Sequence, residues 1–170
     1  RREKMGVFVN PGNEAFAVAL NSEIYVDKTE LLTYTNKVMN TLQGYICNSR
    51  PRRFGKSITA NMLTAYYSRG CDAEQIFSQF EIAKDSGFKK YLNKYNTISV
   101  NMQEILSRSR SIYELIERFN KLLIRDLKKE YPDVDYFDDT DVIECMQDVY
   151  SQKKQAFIVI LDEWDCIFRE

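Results

Sequence analysis

Hydrophobic periodicity divides the chain into segments with the spacing of helices and segments with the spacing of strands. The residues at 97–102 alternate between apolar and polar, and those at 156–161 are continuously apolar, so both segments predict strands. The longest predicted helix follows Ser111 and ends before Pro132. We expect its apolar stripe to face the core. The stripe consists of Ile112, Leu115, Ile116, Phe119, Leu122, Leu123 and Leu127.

Pairs of side chains at capping-box spacing predict where three helices begin. In such a pair a short polar residue precedes a glutamate by three positions, and each side chain satisfies a backbone N–H of the first turn. The predicted helices cover about 28–39, 112–131 and 142–152, and shorter helical segments are expected at 14–20, 73–79 and 87–94. The pairs are Asp27 with Glu30, Ser111 with Glu114, and Asp141 with Glu144.

The segment 50–57, Arg-Pro-Arg-Arg-Phe-Gly-Lys-Ser, stands between the apolar residues 45–47 and a helix-patterned segment that begins at residue 58. A loop that turns directly into a helix points several N–H groups and the positive end of the helix dipole at one spot, which suits phosphate. Gly55 lets the backbone approach closely, Lys56 can reach the β and γ phosphates, and the Ser57 hydroxyl can ligate Mg²⁺. Arg50 replaces the glycine that opens the general P-loop pattern.

A second segment near the C-terminus has the form of a Walker B strand. The apolar run 156–161 is typical of a buried parallel strand, and it ends in Asp162 and Glu163. Asp162 would hold Mg²⁺ at the carboxyl edge of the sheet, and Glu163 would orient the attacking water and accept its proton. Asp165 fits a helix cap or a salt bridge better than a position near the metal.

These two segments predict one nucleotide site. Its proposed catalytic residues are Lys56 and Glu163, and its proposed metal ligands are Ser57 and Asp162. The alternating strands and helices predict an α/β fold, a P-loop NTPase three-layer sandwich with a mainly parallel sheet. The residues expected to contact the nucleotide are Arg53, Phe54, Gly55, Lys56, Ser57 and Ile58.

The composition of the chain excludes several kinds of function. The 170 residues carry a net charge of −1 and are 44% hydrophobic, which fits one ordinary globular domain with no overall field for nucleic acid or membrane. The absence of histidine excludes histidine acid–base catalysis and most zinc sites. The four cysteines are far apart, which favours reduced thiols in a cytoplasmic protein. No apolar run approaches the ~18 residues of a membrane span.

Two other functions compete with an ATPase. The chain could keep the fold and only sense nucleotide as a non-catalytic interaction domain. Alternatively, Arg50, Arg52 and Arg53 could contact the phosphates of a nucleic acid, because short basic clusters commonly do.

Three motifs together resemble the bacterial AAA-ATPase-like family. They are Tyr-Val-Asp-Lys-Thr at 25–29, the Arg-Pro-Arg-Arg-Phe-Gly-Lys-Ser loop at 50–57 and Leu-Asp-Glu-Trp-Asp at 161–165. The resemblance implies an ATP-binding P-loop module. It also implies that the arginine at position 50 is the usual residue of the family's loop motif. It also implies an attached effector, often a PD-(D/E)XK-type nuclease domain, through which nucleic acid and oligomeric partners would enter.

The resemblance also frames the organisation of the chain. We expect residues 1–43 to form an N-terminal segment that packs on a P-loop core at 44–170. In the ATPases that this family is thought to join, a further strand with a polar sensor lies between the P-loop and Walker B strands. The chain ends at Glu170, so we expect a fragment that is truncated after the Walker B strand and hydrolyses ATP poorly by itself.

Overall fold

The computed structural model describes residues 6–21, 27–41, 44, 46 and 56–168, with Lys56 described by its backbone alone. The chain divides into two compact units. The sheet unit is the described part of residues 1–11 and 95–170, and the helical unit is the described part of residues 12–94. The expected division after residue 43 stays a prediction.

The sheet unit is built on two parallel strands, β1 at Asn96–Asn101 and β2 at Phe157–Asp162. Their register runs from Asn96 opposite Phe157 to Asn101 opposite Asp162. Parallel strands need a crossover connection, and three helices supply it here. These helices are α6 at Met102–Leu106, α7 at Ile112–Glu130 and α8 at Val142–Lys153.

The capping predictions for α7 and α8 are confirmed. The Ser111 hydroxyl accepts the N–H of Glu114, and the Asp141 carboxylate accepts the N–H groups of Ile143 and Glu144. Each cap satisfies donors that a first helical turn leaves unpaired, so both helices begin where the local sequence predicts.

A short N-terminal segment covers the edge of β1 that faces away from β2. Val9 forms an antiparallel bridge with Ile98, and the amide of Asn10 donates to the Thr97 carbonyl at 2.7 Å. The side-chain Oδ1 of Asn10 accepts the backbone N–H of Thr97 at 2.8 Å. This asparagine therefore bonds the strand through both its backbone and its side chain. The edge of β1 is therefore satisfied by residues almost ninety positions away in sequence.

The core of the sheet unit lies between β1 and its helices, and it uses only part of the predicted α7 stripe. Leu115, Leu123 and Leu127 are buried, whereas Ile112 and Ile116 are 48% and 51% exposed. The prediction was wrong for these two isoleucines, since Leu115 is the buried member of the stripe in the first turns of α7.

The strand β2 is also less buried than its apolar sequence predicts. Val159 and Leu161 are 49% and 42% exposed, although their register partners Ile98 and Val100 are buried. The difference arises because β1 lies between β2 and the N-terminal segment, while β2 is the outer strand of the described sheet.

The helical unit contains five α-helices in its described residues, together with a 3₁₀ turn at Glu81–Lys84. Aromatic contacts hold it together: Phe16 stacks on Phe77 with centroids 5.2 Å apart, and Tyr66 meets Phe77 edge-on at 5.3 Å. The helices are α1 at Glu14–Leu20, α2 at Glu30–Val38, α3 at Lys56–Tyr67, α4 at Glu74–Phe77 and α5 at Phe88–Tyr91.

The helix α2 begins two residues later than the capping pair Asp27 and Glu30 predicts. Asp27 accepts the N–H of Thr29 rather than serving as the residue immediately before the helix. Its second carboxylate oxygen accepts the N–H of Glu81, a residue 54 positions away, so a tertiary contact replaces the expected local box.

Candidate functional site

The helix α3 begins at Lys56, where the sequence predicts the phosphate-binding loop to end. Ser57 is exposed on its first turn and Ile58 is half-buried. The first turn contains no acidic residue, so none of its own side chains places a carboxylate at the positive end of the helix dipole. Arg53, Phe54 and Gly55 lie outside the described residues, as do Arg50 and Arg52.

The other end of α3 is buried, which fixes the helix that carries Lys56 and Ser57. Met62, Tyr66 and Tyr67 are at most 1% exposed. The Tyr67 hydroxyl donates to Oδ1 of Asn36 on α2 at 2.7 Å, and Nδ2 of the same asparagine donates to the Tyr66 hydroxyl at 3.1 Å. The helix is therefore held at its C-terminal half while its first turn faces solvent at Ser57.

Asp162 is the last residue of β2, and Glu163 follows it outside the strand. Both are half-buried. The N–H of Glu163 donates to Oδ1 of Asp162 at 3.0 Å. Glu163 has a φ of 53°, a left-handed conformation that costs a residue with a Cβ roughly 1–2 kcal/mol. Its carbonyl accepts the N–H of Cys166 in the 3₁₀ helix Trp164–Phe168, which turns the chain away from the strand.

Asn101 is a neighbour of the predicted metal ligand Asp162 that the sequence pattern did not reveal. It ends β1 opposite Asp162 in the parallel register, so the two residues lie side by side at the carboxyl edge of the sheet. Its side chain accepts the N–H of Gln103 at 3.0 Å and caps α6. The signal in the sequence was an asparagine at a strand end, but its neighbour could be identified only from the register.

The comparisons with known proteins identify the family of the chain. A family model described as a predicted AAA-ATPase matches residues 14–170, which is most of the chain. The chain belongs to the AAA-ATPase-like family. No curated protein and no solved structure matches it. Membership confirms the resemblance stated above and supports an ATPase-like role and nucleotide binding.

The residues of this family member fit magnesium and nucleotide as far as they are described. A serine hydroxyl and a carboxylate oxygen are the hard oxygen donors that Mg²⁺ takes, usually with phosphates and water as its other ligands. Among the described residues, no group of three or more acidic or cysteine side chains could hold a metal by itself. The proposed ligands Ser57 and Asp162 would supply one hydroxyl and one carboxylate oxygen, which suits an ion whose other ligands are phosphate and water oxygens.

The two halves of the predicted site belong to different units. Lys56, Ser57 and Ile58 lie in the helical unit, and Asp162 and Glu163 lie in the sheet unit. Their convergence on one nucleotide stays a prediction.

The described helices include none with the length and apolar character needed to cross a bilayer.

Proposed function

We propose that this chain is a module that binds ATP with Mg²⁺ and hydrolyses it within the full-length protein, and that hydrolysis drives or regulates an attached effector domain. The observation that carries the proposal is the Asp162–Glu163 pair at the carboxyl end of a parallel strand, where ligands of open α/β sheets bind. Family membership and the lack of acidic residues in the first turn of α3 support it independently.

The proposed roles follow from the chemistry of each group. Lys56 binds the β and γ phosphates as a mobile cation, and the Ser57 hydroxyl and Asp162 carboxylate hold the metal. Magnesium held by Ser57 and Asp162 would neutralise the negative charge that develops on the phosphate groups during transfer. Glu163 orients the attacking water and accepts its proton. The left-handed conformation of Glu163 directs its side chain differently from that of a continuing strand residue.

Nucleotide affinity tests the binding step. Lys56→Ala in the full-length protein removes a charge-assisted contact and should weaken MgATP binding about 10- to 100-fold by calorimetry. Lys121→Ala is a matched control, because Lys121 pairs with exposed Glu117 on α7 and should leave affinity unchanged. Equal affinity of Lys56→Ala and the unaltered protein would remove the phosphate-binding assignment.

Turnover separates an ATPase from the nucleotide sensor considered above. Glu163→Gln should lower the rate of ATP hydrolysis by about 10²- to 10⁴-fold and trap bound ATP, because the amide cannot accept the proton. Glu144→Gln alters another glutamate of the sheet unit and should leave turnover intact. If Glu163→Gln changes neither turnover nor ATP retention, the sensor is the better interpretation.

The nucleic-acid alternative has its own signature. Binding through Arg50, Arg52 and Arg53 would depend steeply on salt, and an Arg52→Ala, Arg53→Ala double variant would abolish it. DNA binding that persists in the double variant would exclude the cluster as the nucleic-acid contact.

A further inference from the structure

The Tyr-Val-Asp-Lys-Thr motif at 25–29 has no role in the proposed chemistry, but its described residues make specific long-range contacts. Asp27 accepts the N–H of Thr29 through Oδ1 at 2.8 Å and the N–H of Glu81 through Oδ2 at 3.0 Å. The Thr29 hydroxyl oxygen accepts the N–H of Ile82 at 3.2 Å. We call these contacts to Glu81 and Ile82 the clasp. It joins the start of α2 to the 3₁₀ turn Glu81–Lys84.

The contacts of the clasp engage both side chains within the protein, although Asp27 is exposed. Thr29 is fully buried, and both carboxylate oxygens of Asp27 already accept backbone N–H groups. Partial burial raises the pKa of Asp27, but these N–H donors, the Thr29 hydroxyl and the charge of Lys84 together lower it below its ordinary value. The carboxylate is thus stabilised as an anion by the protein itself.

The segment that follows the clasp braces α3. The Tyr66 hydroxyl of α3 donates to the carbonyl of Phe88 at 2.7 Å. Asn93 donates its Nδ2 to the carbonyls of Ala65 and Ser68 at 2.9 and 2.7 Å, and its backbone N–H to the carbonyl of Tyr66 at 2.7 Å. The carbonyls of Ala65, Tyr66 and Ser68 lie at the C-terminal end of α3, where the helix itself provides no N–H donors for its last carbonyls.

The contacts therefore close a ring through the helical unit. The clasp ties α2 to residues 81–82, Phe88 and Asn93 tie the same segment to α3, and Asn36 ties α3 back to α2. Removing the clasp opens the ring at one point and leaves the other contacts in place, so it loosens the brace on α3 without removing the fold.

We propose that Asp27 and Thr29 are positioning residues that hold α3, and with it Lys56 and Ser57, in the geometry needed to bind phosphate. The inference rests on the proposed nucleotide site. It assigns the motif an effect on every phosphate ligand alike, because Asp27 and Thr29 act through the helix and touch neither base nor ribose.

The test uses Thr29→Val in the full-length protein, which keeps the shape of the side chain and removes the oxygen that accepts the Ile82 N–H. Hydrogen exchange should become faster at Ile82 and at the C-terminal amides of α3. Affinity should fall measurably, by up to about tenfold, for MgATP and by the same factor for magnesium tripolyphosphate, because the energy of one hydrogen bond is the most that the lost contact can transmit to binding. Thr29→Ser keeps the hydroxyl and should restore both affinities and the exchange rates.

A matched control comes from Asp72, whose Oδ1 accepts the N–H of Glu74 at 3.0 Å, two residues on, and makes no contact of the clasp. Asp72→Asn should change neither ligand's affinity. Unchanged exchange at Ile82 in Thr29→Val, or faster exchange with unaltered affinity, would overturn the inference. So would a loss of ATP affinity with full tripolyphosphate affinity, since that pattern indicates a contact with the nucleoside. Lys56→Ala tests the nucleotide site independently of the clasp. If this variant retains full affinity, the proposed nucleotide site is wrong, whereas hydrogen exchange at Ile82 still tests the contacts of the clasp.

Discussion

The backbone N–H of Glu163 donates a hydrogen bond to the carboxylate of the residue before it, Asp162, at 3.0 Å. This contact forms where β2 ends and where Glu163 adopts a φ of 53°. The two acids to which we assign different roles are thus joined by a local turn. The turn orients Asp162 by a charge-assisted hydrogen bond and separates the direction of the Glu163 side chain from the alternation of the strand.

The left-handed conformation of Glu163 predicts that substitutions at this position differ in stability although all of them lose activity. Glu163→Gly should be about 1 kcal/mol more stable than Glu163→Ala in urea unfolding, because glycine has no Cβ to strain in this region. Glu163→Asn should lie between them, since asparagine tolerates the region better than alanine. All three should lose turnover. Alanine and glycine variants of equal stability would contradict the conformational argument.

Asp126 predicts a large cost for a change at a residue that has no role in the proposed site. This aspartate of α7 is 2% exposed, and its Oδ2 accepts the N–H of Phe8 at 2.7 Å. Asp126→Ala leaves that donor unpaired and should lower the free energy of unfolding by about 1–3 kcal/mol. Asp126→Asn keeps an acceptor and should cost less. As a control, Glu117→Ala breaks only an exposed pair with Lys121 and should cost about 0.5 kcal/mol or less. Equal costs at positions 117 and 126 would contradict this role.

Lys154 predicts a stabilising substitution. It follows the last residue of α8 with a φ of 56° and a ψ of 36°, and its N–H donates to the carbonyl of Tyr150. Glycine suits this position at a helix end, so Lys154→Gly should raise the free energy of unfolding by about 0.5–1 kcal/mol. Lys153→Gly, one residue earlier and inside the helix, should instead lower it. Thermal unfolding of both variants checks the contrast, which a destabilised Lys154→Gly would contradict.

Cys71 predicts a thiol with little reactivity near neutral pH. Burial, and secondarily the negative charge of Asp72, raise the pKa of Cys71 to about 11. At pH 8 about one molecule in a thousand then carries the reactive thiolate. Alkylation of Cys71, followed by peptide mass spectrometry, should accelerate about tenfold per pH unit from pH 8 to pH 10. A rate that levels off below pH 9 in the folded protein would show that the pKa is not raised.

Local sequence signals predicted the helix starts at Ser111 and Asp141 because a cap and the donors it satisfies lie within three residues. The same reasoning was wrong at Asp27, whose second carboxylate oxygen accepts a donor 54 residues away. Asn10 and Asp126 show the same limit: they complete the edge of β1 and hold the N-terminal segment across 87 and 118 positions. Hydrophobic periodicity contains no information about hydrogen-bond partners so far apart in sequence.

For the candidate site, the sequence by itself determined which residues the proposed chemistry can use: a Gly-Lys-Ser before a helix-patterned segment and an Asp-Glu pair after an apolar run, with no histidine. Only the tertiary structure decided that Asn101 lies beside Asp162, that Glu163 is left-handed, and that Asp27 and Thr29 clasp residues 81 and 82. The physical reason is range. Side-chain chemistry and capping act within a few residues, whereas register, backbone strain and long-range hydrogen bonds exist only once distant segments pack together.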